Sequence, residues 1–287
     1  MLVRLAVLLG ALVTIPFVSV VYYYKGMRLH RMIVTWFQRP SKFDGRIVVI
    51  SGLLMYFGVL AALSLSFGVQ KAWMRLGVPA LLPSFWDLWN MLAGIDCYAH
   101  GVNIFQTNFC SLHAPAPLVW GPWDQPRVWL LLSALGVSEK LTVPLGITLA
   151  LSFLALLLWR LGRFTVRQGL LVVALVCSPA VMLGIERGNF DLLMFDILAI
   201  AIYLIEWQRI RVRMGGYACI MVAAILKLFP AFAFLTLAKE GKHRWLLVSI
   251  TAAILAVYGM ATFHDIITMM TVAPRDVHYS YGASVLV

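Results

Sequence analysis

The chain has 287 residues, of which 62% are hydrophobic and 12% are charged, and its mean hydropathy is +0.90. About a quarter of the residues in soluble proteins are charged, so this composition excludes a water-soluble domain, and it excludes intrinsic disorder, which needs low hydrophobicity. The net charge of +11 comes from short basic clusters between apolar runs, a pattern typical of the cytoplasmic loops of membrane proteins rather than of nucleic-acid binding.

The first apolar run, residues 3–24, predicts a retained membrane helix. A spanning helix needs about 20 mostly apolar residues, and no small-residue cleavage site follows this run. Three tyrosines and Lys25 end it, as an interfacial anchor would. The following stretch, 25–46, is expected to be cytoplasmic, either as an ordinary basic loop or as an amphipathic helix on the membrane surface.

Further apolar runs predict five more spans, at 47–69, 141–159, 169–185, 192–207 and 245–263. Placing the basic clusters in the cytoplasm makes 70–126 a large extracytoplasmic loop and 264–287 an outer tail. The run 128–137 is too short to span, and we expect it to dip into the outer leaflet. Together these features predict an all-α protein of the inner (plasma) membrane. It is a single membrane domain over 1–287, with a helical bundle at 127–263 and about six to eight membrane helices in all.

The apolar stretch 216–238 is interrupted by Lys227 and Pro230. A single crossing would place the basic cluster Lys239–Arg244 outside the cell, against the charge rule. Proline breaks a helix, and irregular backbone at membrane depth is tolerated where it is buried in protein or lines a cavity. We therefore predict a re-entrant pair of short helices that break near Lys227.

Between two apolar spans, the loop 186–191 reads Glu-Arg-Gly-Asn-Phe-Asp. Ionisable groups at a membrane boundary are costly and tend to be functional, although a salt bridge that pins the turn is the alternative. Lys227 lies within an apolar run instead of at a helix end, which favours a buried partner or an anionic ligand such as phosphate. The predicted topology brings this loop and Lys227 to the outer face.

The four cysteines give weak signals. Cys97 and Cys110 share the outer loop and would form a disulfide in an oxidising compartment or stay free, whereas Cys177 and Cys219 lie in apolar runs. No P-loop, GxGxxG or HExxH motif is present, and the six histidines lack metal-ligand spacing.

Two of these motifs, Glu186–Asp191 and then Leu226–Pro230, resemble glycosyltransferase family 87. Upstream, Phe85–Trp89 and the run from Gly94 to Phe105 are similar to the first outer loop of that family. The resemblance covers roughly residues 80–287 and implies a multi-spanning helical bundle of the GT-C type. It also implies transfer of a sugar, with mannose as one candidate, from a polyprenyl-phosphate donor to a lipid or glycan acceptor at the extracytoplasmic face.

Three features depart from the family pattern. Gln125 stands where members usually have tyrosine, and residues 114–123 are unusually rich in proline and tryptophan. The chain stops at Val287 within an apolar run, where members usually continue with further spans. These departures raise the expectation of a truncated or degenerate copy.

The resemblance also assigns roles to individual residues. Inverting transfer needs a carboxylate that takes the acceptor proton, and Asp87 is our first candidate, with Asp96 in reserve. Cations would hold the phosphate. Acidic and amide side chains would orient Arg187 or bind sugar hydroxyls. The substrate-binding candidates are Arg187, Lys227, Arg127, Glu186, Asn189 and Asp191. No cofactor is expected, although Asp87, Glu186 and Asp191 offer oxygen ligands that suit a divalent metal.

Two other functions remain open. A transporter or flippase for a lipid-linked substrate would explain a broken helix with a buried lysine, but the two motifs occur once each, without the internal repeat that such proteins show. A non-catalytic membrane subunit would explain the early stop at Val287.

Overall fold

A computed structural model describes residues 44–105, 123, 125–161, 164–241 and 244–272 of the chain. Within these ranges all regular structure is helical, which confirms the prediction of an all-α protein for this part of the chain. The predicted first span 3–24, almost all of the basic stretch 25–46, residues 114–122 and the tail beyond 272 lie outside the described residues.

The α-helices of the described residues are numbered here in chain order. They are α1 (Gly45–Phe67), α2 (Val69–Arg75), α3 (Trp86–Ala99), α4 (Thr142–Arg160), α5 (Val166–Val176), α6 (Pro179–Arg187), α7 (Asp191–Ile205), α8 (Ile210–Leu226), α9 (Arg244–Ala261) and α10 (Phe263–Val272). Tighter 3₁₀ turns form Arg127–Leu135, Glu139–Leu141 and Phe229–Lys239.

Among the described residues, three helical stretches are long and apolar enough to cross a membrane: α1, α9 and the 22 residues Glu139–Arg160, which contain α4. A fourth candidate results if α5 and α6 are counted as one broken span. The predicted span at 192–207 corresponds to α7, whose 15 residues are short against the roughly 20 that a crossing needs. The full count of six to eight membrane helices stays a prediction.

The chain divides into two compact units, 1–56 with 161–176 and 57–160 with 177–287. In the first unit, small residues allow the start of α1 to approach α5. The Gly45 amide donates to the Phe164 carbonyl over 2.8 Å, and a Cβ on Gly169 would lie 2.6 Å from the Gly45 carbonyl oxygen. Close backbone contact through glycine is typical of helix packing in membranes.

In the second unit, α7 and α8 form an antiparallel pair. A Cβ on Gly216 of α8 would lie 2.7 Å from the Ala201 carbonyl oxygen of α7, so glycine is required for this approach. The buried core beside the pair draws residues from α3, from the 3₁₀ segment Arg127–Leu135 and from both helices. Its members include Leu88, Leu92, Ile95, Trp129, Leu130, Met194 and Ala223.

The chain reverses at Lys227, where the sequence predicts a break. α8 ends at Leu226, Lys227 is extended with φ −154° and ψ 135°, and the 3₁₀ segment Phe229–Lys239 follows. Seventeen α-helical residues extend about 25 Å, and eleven 3₁₀ residues about 22 Å. The return arm ends beside the first turn of α8, because Glu240 lies 3.0 Å from Arg213 and also accepts a 2.9 Å hydrogen bond from the Tyr217 hydroxyl. Both ends of the hairpin therefore lie together, as a re-entrant segment requires.

Candidate functional site

Six of the eight candidate site residues meet at one end of α7. α3 contributes its first turn, α6 its last turn, α7 its first residue and α8 the residue that follows its end. We call this group the Asp87 cluster, and its members are Asp87, Glu186, Arg187, Asn189, Asp191 and Lys227.

Asp87 is the centre of the cluster. Its Oδ2 accepts a 2.9 Å hydrogen bond from Nδ2 of Asn189, and its Oδ1 lies 3.5 Å from Nη1 of Arg187. The side chain keeps 34% of its surface exposed. A carboxylate held on two sides and open on the third has a fixed orientation and remains accessible to a ligand.

Arg187 is buried, with 7% of its side chain exposed, and protein groups surround its guanidinium. Nη2 donates to the Pro79 carbonyl over 3.2 Å, and Nε lies 3.2 Å from Oε2 of Glu186. Glu186 is itself fixed because its Oε1 accepts a 3.2 Å hydrogen bond from the Leu81 amide. This geometry favours a positioning role for Arg187 over the phosphate contact that the sequence suggested.

The turn at Gly188 brings these groups together. Gly188 adopts φ +60°, and the following Asn189 amide donates to the Gly184 carbonyl over 2.9 Å, closing the end of α6. A Cβ at Gly188 would lie 3.0 Å from Cβ of Leu88, so α3 could not approach as closely. The Phe85 amide donates to the Glu186 carbonyl over 3.1 Å, which joins the start of α3 to the end of α6.

The pKa of Asp87 is raised above the ordinary aspartate value. Burial is the largest cause, and it outweighs the opposing influence of Arg187, of the Asn189 hydrogen bond and of Lys227. A carboxylate with a raised pKa is a stronger base than an ordinary aspartate once it is ionised. The arrangement is therefore suited to accepting a proton from a ligand.

Lys227 and Asp191 form the more open part of the cluster. Nζ of Lys227 lies 2.5 Å from Oδ1 of Asp191, and the two side chains are 36% and 45% exposed. Asp191 is tied to the centre because its amide donates to Oδ1 of Asn189 over 2.9 Å. The sequence predicted either a buried partner or an anionic ligand for Lys227. The structure shows a protein partner, Asp191, and leaves the ammonium group accessible to solvent.

The last carbonyls of α8, just before Lys227, are hydrogen-bonded by two aromatic side chains. Nε1 of Trp129 donates to the Leu226 carbonyl over 3.2 Å, and the Tyr258 hydroxyl donates to the Ile225 carbonyl over 3.3 Å. The Trp129 ring also packs on Phe190, with centroids 4.6 Å apart. These contacts satisfy helix-end carbonyls that would otherwise lack partners.

The two remaining candidates do not join the cluster. Asp96 lies nine residues along α3 from Asp87, about 13 Å along the axis, and its carboxylate is 3.6 Å from Nδ1 of His100. Arg127 makes a two-pronged ion pair with Asp265, at 2.9 Å and 2.7 Å. Arg127 is thus engaged with α10. These contacts do not bring it to the Asp87 cluster, where the sequence-based hypothesis would need it to bind phosphate.

Asp196 is a buried acid that the sequence analysis did not assign. Its Oδ2 accepts a 2.6 Å hydrogen bond from the Ser152 hydroxyl, whereas Oδ1 has no hydrogen-bond partner among the described residues. An aspartate within the apolar run of α7 was the available signal. The sequence gives no signal for the partner of Asp196, because Ser152 lies 44 residues away along the chain.

Three of the four cysteines lie within the described residues. Cys97 is disulfide-bonded, whereas Cys177 and Cys219 are free. The predicted partner, Cys110, lies outside the described residues. Within the described ranges, no three histidine, cysteine, aspartate or glutamate side chains are grouped closely enough to hold a metal ion.

Comparison of the chain with protein-family models, with curated proteins and with solved structures finds no match.

Proposed function

We propose that the chain is an inverting GT-C glycosyltransferase that moves a sugar, a hexose in our view, from a polyprenyl-phosphate donor to an acceptor hydroxyl. The observation that carries the proposal is Asp87, a partly open carboxylate oriented by Asn189 and Arg187. The resemblance of 186–191 and 226–230 to glycosyltransferase family 87 supplies the reaction class.

In this proposal Asp87 is the general base. It takes the proton of the acceptor hydroxyl as that oxygen attacks the anomeric carbon of the donor sugar. The bond from the anomeric carbon to the lipid-phosphate oxygen breaks, and its electron pair leaves with the phosphate. Attack opposite the leaving group inverts the anomeric centre, and the proton ends on Asp87.

Lys227 is the cation that we assign to the leaving phosphate. Its side chain is 36% exposed, against 7% for Arg187, so an incoming anion can reach it without dismantling a buried network. A lysine ammonium acts on phosphate as a point charge and stabilises the negative charge that develops during transfer. Asp191 holds the ammonium in place before the donor binds.

The disulfide state of Cys97 supports placing this site at the extracytoplasmic face. Disulfides persist in oxidising compartments such as the periplasm or the cell exterior and are rare in the cytosol. Cys97 and Asp87 lie on the same helix, α3. The helix that carries the proposed base thus has a residue in the chemical state expected outside the cytoplasm.

Sugar transfer by the purified full chain in lipid tests the proposal. A panel of radiolabelled polyprenyl-phosphate sugars is offered with a membrane extract as the acceptor source, and Asp87→Asn is assayed beside wild type. We expect transfer from one donor class and its loss in the variant. Absence of transfer from every donor by a well-folded wild-type protein would contradict the proposal and favour a non-catalytic subunit.

A further inference from the structure

The end of α7 remote from Asp191 carries a large excess of positive charge. The end of α4, the start of α8, the 3₁₀ segment Phe229–Lys239 and the start of α9 all reach this end, which we call the basic end. Among the described residues, its basic members are Arg160, Arg209, Arg211, Arg213, Lys239 and Arg244, and its acidic members are Glu206 and Glu240.

Each acid at the basic end is already paired with one arginine. Glu206 lies 3.4 Å from Arg160, and Glu240 lies 3.0 Å from Arg213. Glu240 also accepts the hydroxyl of Tyr217. The remaining basic side chains therefore have no carboxylate partner among the described residues, and their charge is available to an anion from outside the protein.

Aromatic side chains surround the same end. Trp159 contacts Tyr203 with ring centroids 4.8 Å apart, and Tyr203 contacts Trp207 at 6.1 Å. The guanidinium of Arg244 lies 5.0 Å from the ring centroid of Trp245. The Trp245 side chain is largely exposed. Tryptophan and tyrosine are enriched where a membrane meets water, so the composition of this end is suited to the level of lipid headgroups.

Arg211 and Arg244 are arginines of the basic end that have no carboxylate partner among the described residues. The Arg211 side chain is exposed and that of Arg244 is half-buried, so both can be reached from outside the protein. The planar guanidinium group matches the oxygens of a phosphate, to which it donates two parallel hydrogen bonds.

From these observations we infer that the basic end binds the phosphodiester headgroup of an anionic phospholipid, with Arg211 and Arg244 as donors to its oxygens. Unpaired positive charge supplies the attraction, the aromatic side chains fix the depth, and the guanidinium groups of Arg211 and Arg244 supply directed contacts. Basic pockets between membrane helices are suited to such headgroups. The inference is independent of the proposed sugar transfer.

Lipid retention and thermal unfolding of the full chain test this inference. The protein is placed in phosphatidylcholine nanodiscs with and without phosphatidylglycerol, and lipid retained after extraction is counted by native mass spectrometry. The variants are Arg244→Gln, Arg244→Lys, which keeps the charge but loses the forked donor, and Arg211→Gln. Arg75→Gln removes the same charge from α2 and serves as the matched control.

For wild type we expect phosphatidylglycerol to be retained in preference to phosphatidylcholine and to raise the unfolding midpoint. Arg244→Gln should weaken that retention about tenfold, since each charge-assisted hydrogen bond contributes roughly that factor. Arg244→Lys should recover only part of it, and Arg75→Gln should match wild type. If Arg244→Gln does not fold in phosphatidylcholine, Arg211→Gln gives the same comparison with a smaller expected loss.

Three results would overturn the inference. Equal retention of the two lipids would remove the headgroup preference, and an equal loss in Arg75→Gln would reduce the effect to bulk charge. Equal stabilisation by inorganic phosphate would show that the lipid is not the source of the anion.

Discussion

The two parts of the Asp87 cluster use their charges differently. In the buried part, Arg187 is 7% exposed and contacts Asp87, Glu186 and the Pro79 carbonyl. In the open part, Lys227 and Asp191 are 36% and 45% exposed, and each keeps surface available to solvent. A cation fixed by three protein groups orients its neighbours, whereas a cation with one exposed partner can exchange that partner for a ligand.

This difference explains why the cluster has two cations with distinct roles. Breaking a buried ion pair by removing one partner is costly, so releasing Arg187 to bind substrate would leave the Glu186 and Asp87 carboxylates without their cation. An exposed pair is stabilised by at most about 1 kcal/mol, so Lys227 can leave Asp191 at little cost. Substitutions in the buried part should therefore change stability, and substitutions in the open part should change transfer.

The largest expected effect is on stability, from Arg187→Met. Removing one partner from a buried ion pair leaves the other charge uncompensated and costs about 3–5 kcal/mol. We expect a loss of this size in the free energy of unfolding, measured in lipid or detergent with a denaturant. Arg187→Lys, which keeps the charge, should lose less. A loss for Arg187→Met no larger than that for Lys227→Met would contradict the distinction between the two parts.

The next effect concerns the turn that assembles the buried part. Gly188→Ala introduces a side chain at φ +60° and a Cβ 3.0 Å from that of Leu88, so we expect a destabilisation of about 2–3 kcal/mol. Gly136→Ala is a matched control, because Gly136 has φ +69° and no atom within 4 Å of the added Cβ. The difference between their unfolding free energies measures the contact with α3, and equal losses would mean that this contact is unimportant.

Arg127→Gln tests whether Arg127 is structural or binds donor. The change leaves the Asp265 carboxylate, which is 9% exposed, without its cation, and we expect a loss of about 1–3 kcal/mol in unfolding free energy. Donor KM should stay within about twofold of wild type. A large rise in KM with unchanged stability would return Arg127 to the phosphate site.

Lys227→Met should lower sugar transfer while leaving stability almost unchanged, in contrast to Arg127→Gln. Because the ion pair with Asp191 is exposed, the unfolding free energy should change by less than about 1 kcal/mol. Transfer should fall, since a cation beside the leaving phosphate is lost, and Lys227→Arg should restore part of the rate. Unchanged transfer in Lys227→Met would remove this lysine from the site.

The smallest effect is the pH dependence that arises from Asp87. Its folded-state pKa lies above the ordinary aspartate value that applies to the unfolded chain, because burial disfavours the ionised form. Between these two pKa values the folded protein binds more protons than the unfolded one, so stability falls as pH rises through that window. Unfolding midpoints of wild type and Asp87→Asn measured against pH should converge below the window and separate above it. A constant separation would mean that the pKa is not raised.

Much of the helical framework could be predicted from the sequence. Long apolar runs predicted α1, α4 and α9, and the proline after Lys227 predicted the reversal of the chain. These features depend on local composition and on the missing amide of proline, which a single sequence displays directly. The convergence of 186–191 with Lys227 followed from topology and from the family resemblance.

The pairings within the site could not be predicted, because each depends on tertiary contacts between distant segments. The sequence offered Arg187, with Arg127 as a further candidate, to hold the phosphate, and only burial and partners show how each side chain is engaged. Asp265 was assigned to an outer tail, whereas α10 brings it to Arg127. Asp96 resembles Asp87 in sequence context, yet the helix rise separates the two carboxylates.

The most direct test of the account compares Asp87→Asn with Asp96→Asn in the sugar-transfer assay, under conditions where chemistry limits the rate. Both substitutions exchange one carboxylate of α3 for an amide of the same shape. We predict that Asp87→Asn lowers the rate about a hundredfold to ten-thousandfold, the usual contribution of a general base, and that Asp96→Asn retains wild-type activity. Retained activity in Asp87→Asn, or loss confined to Asp96→Asn, would contradict the central role of the Asp87 cluster.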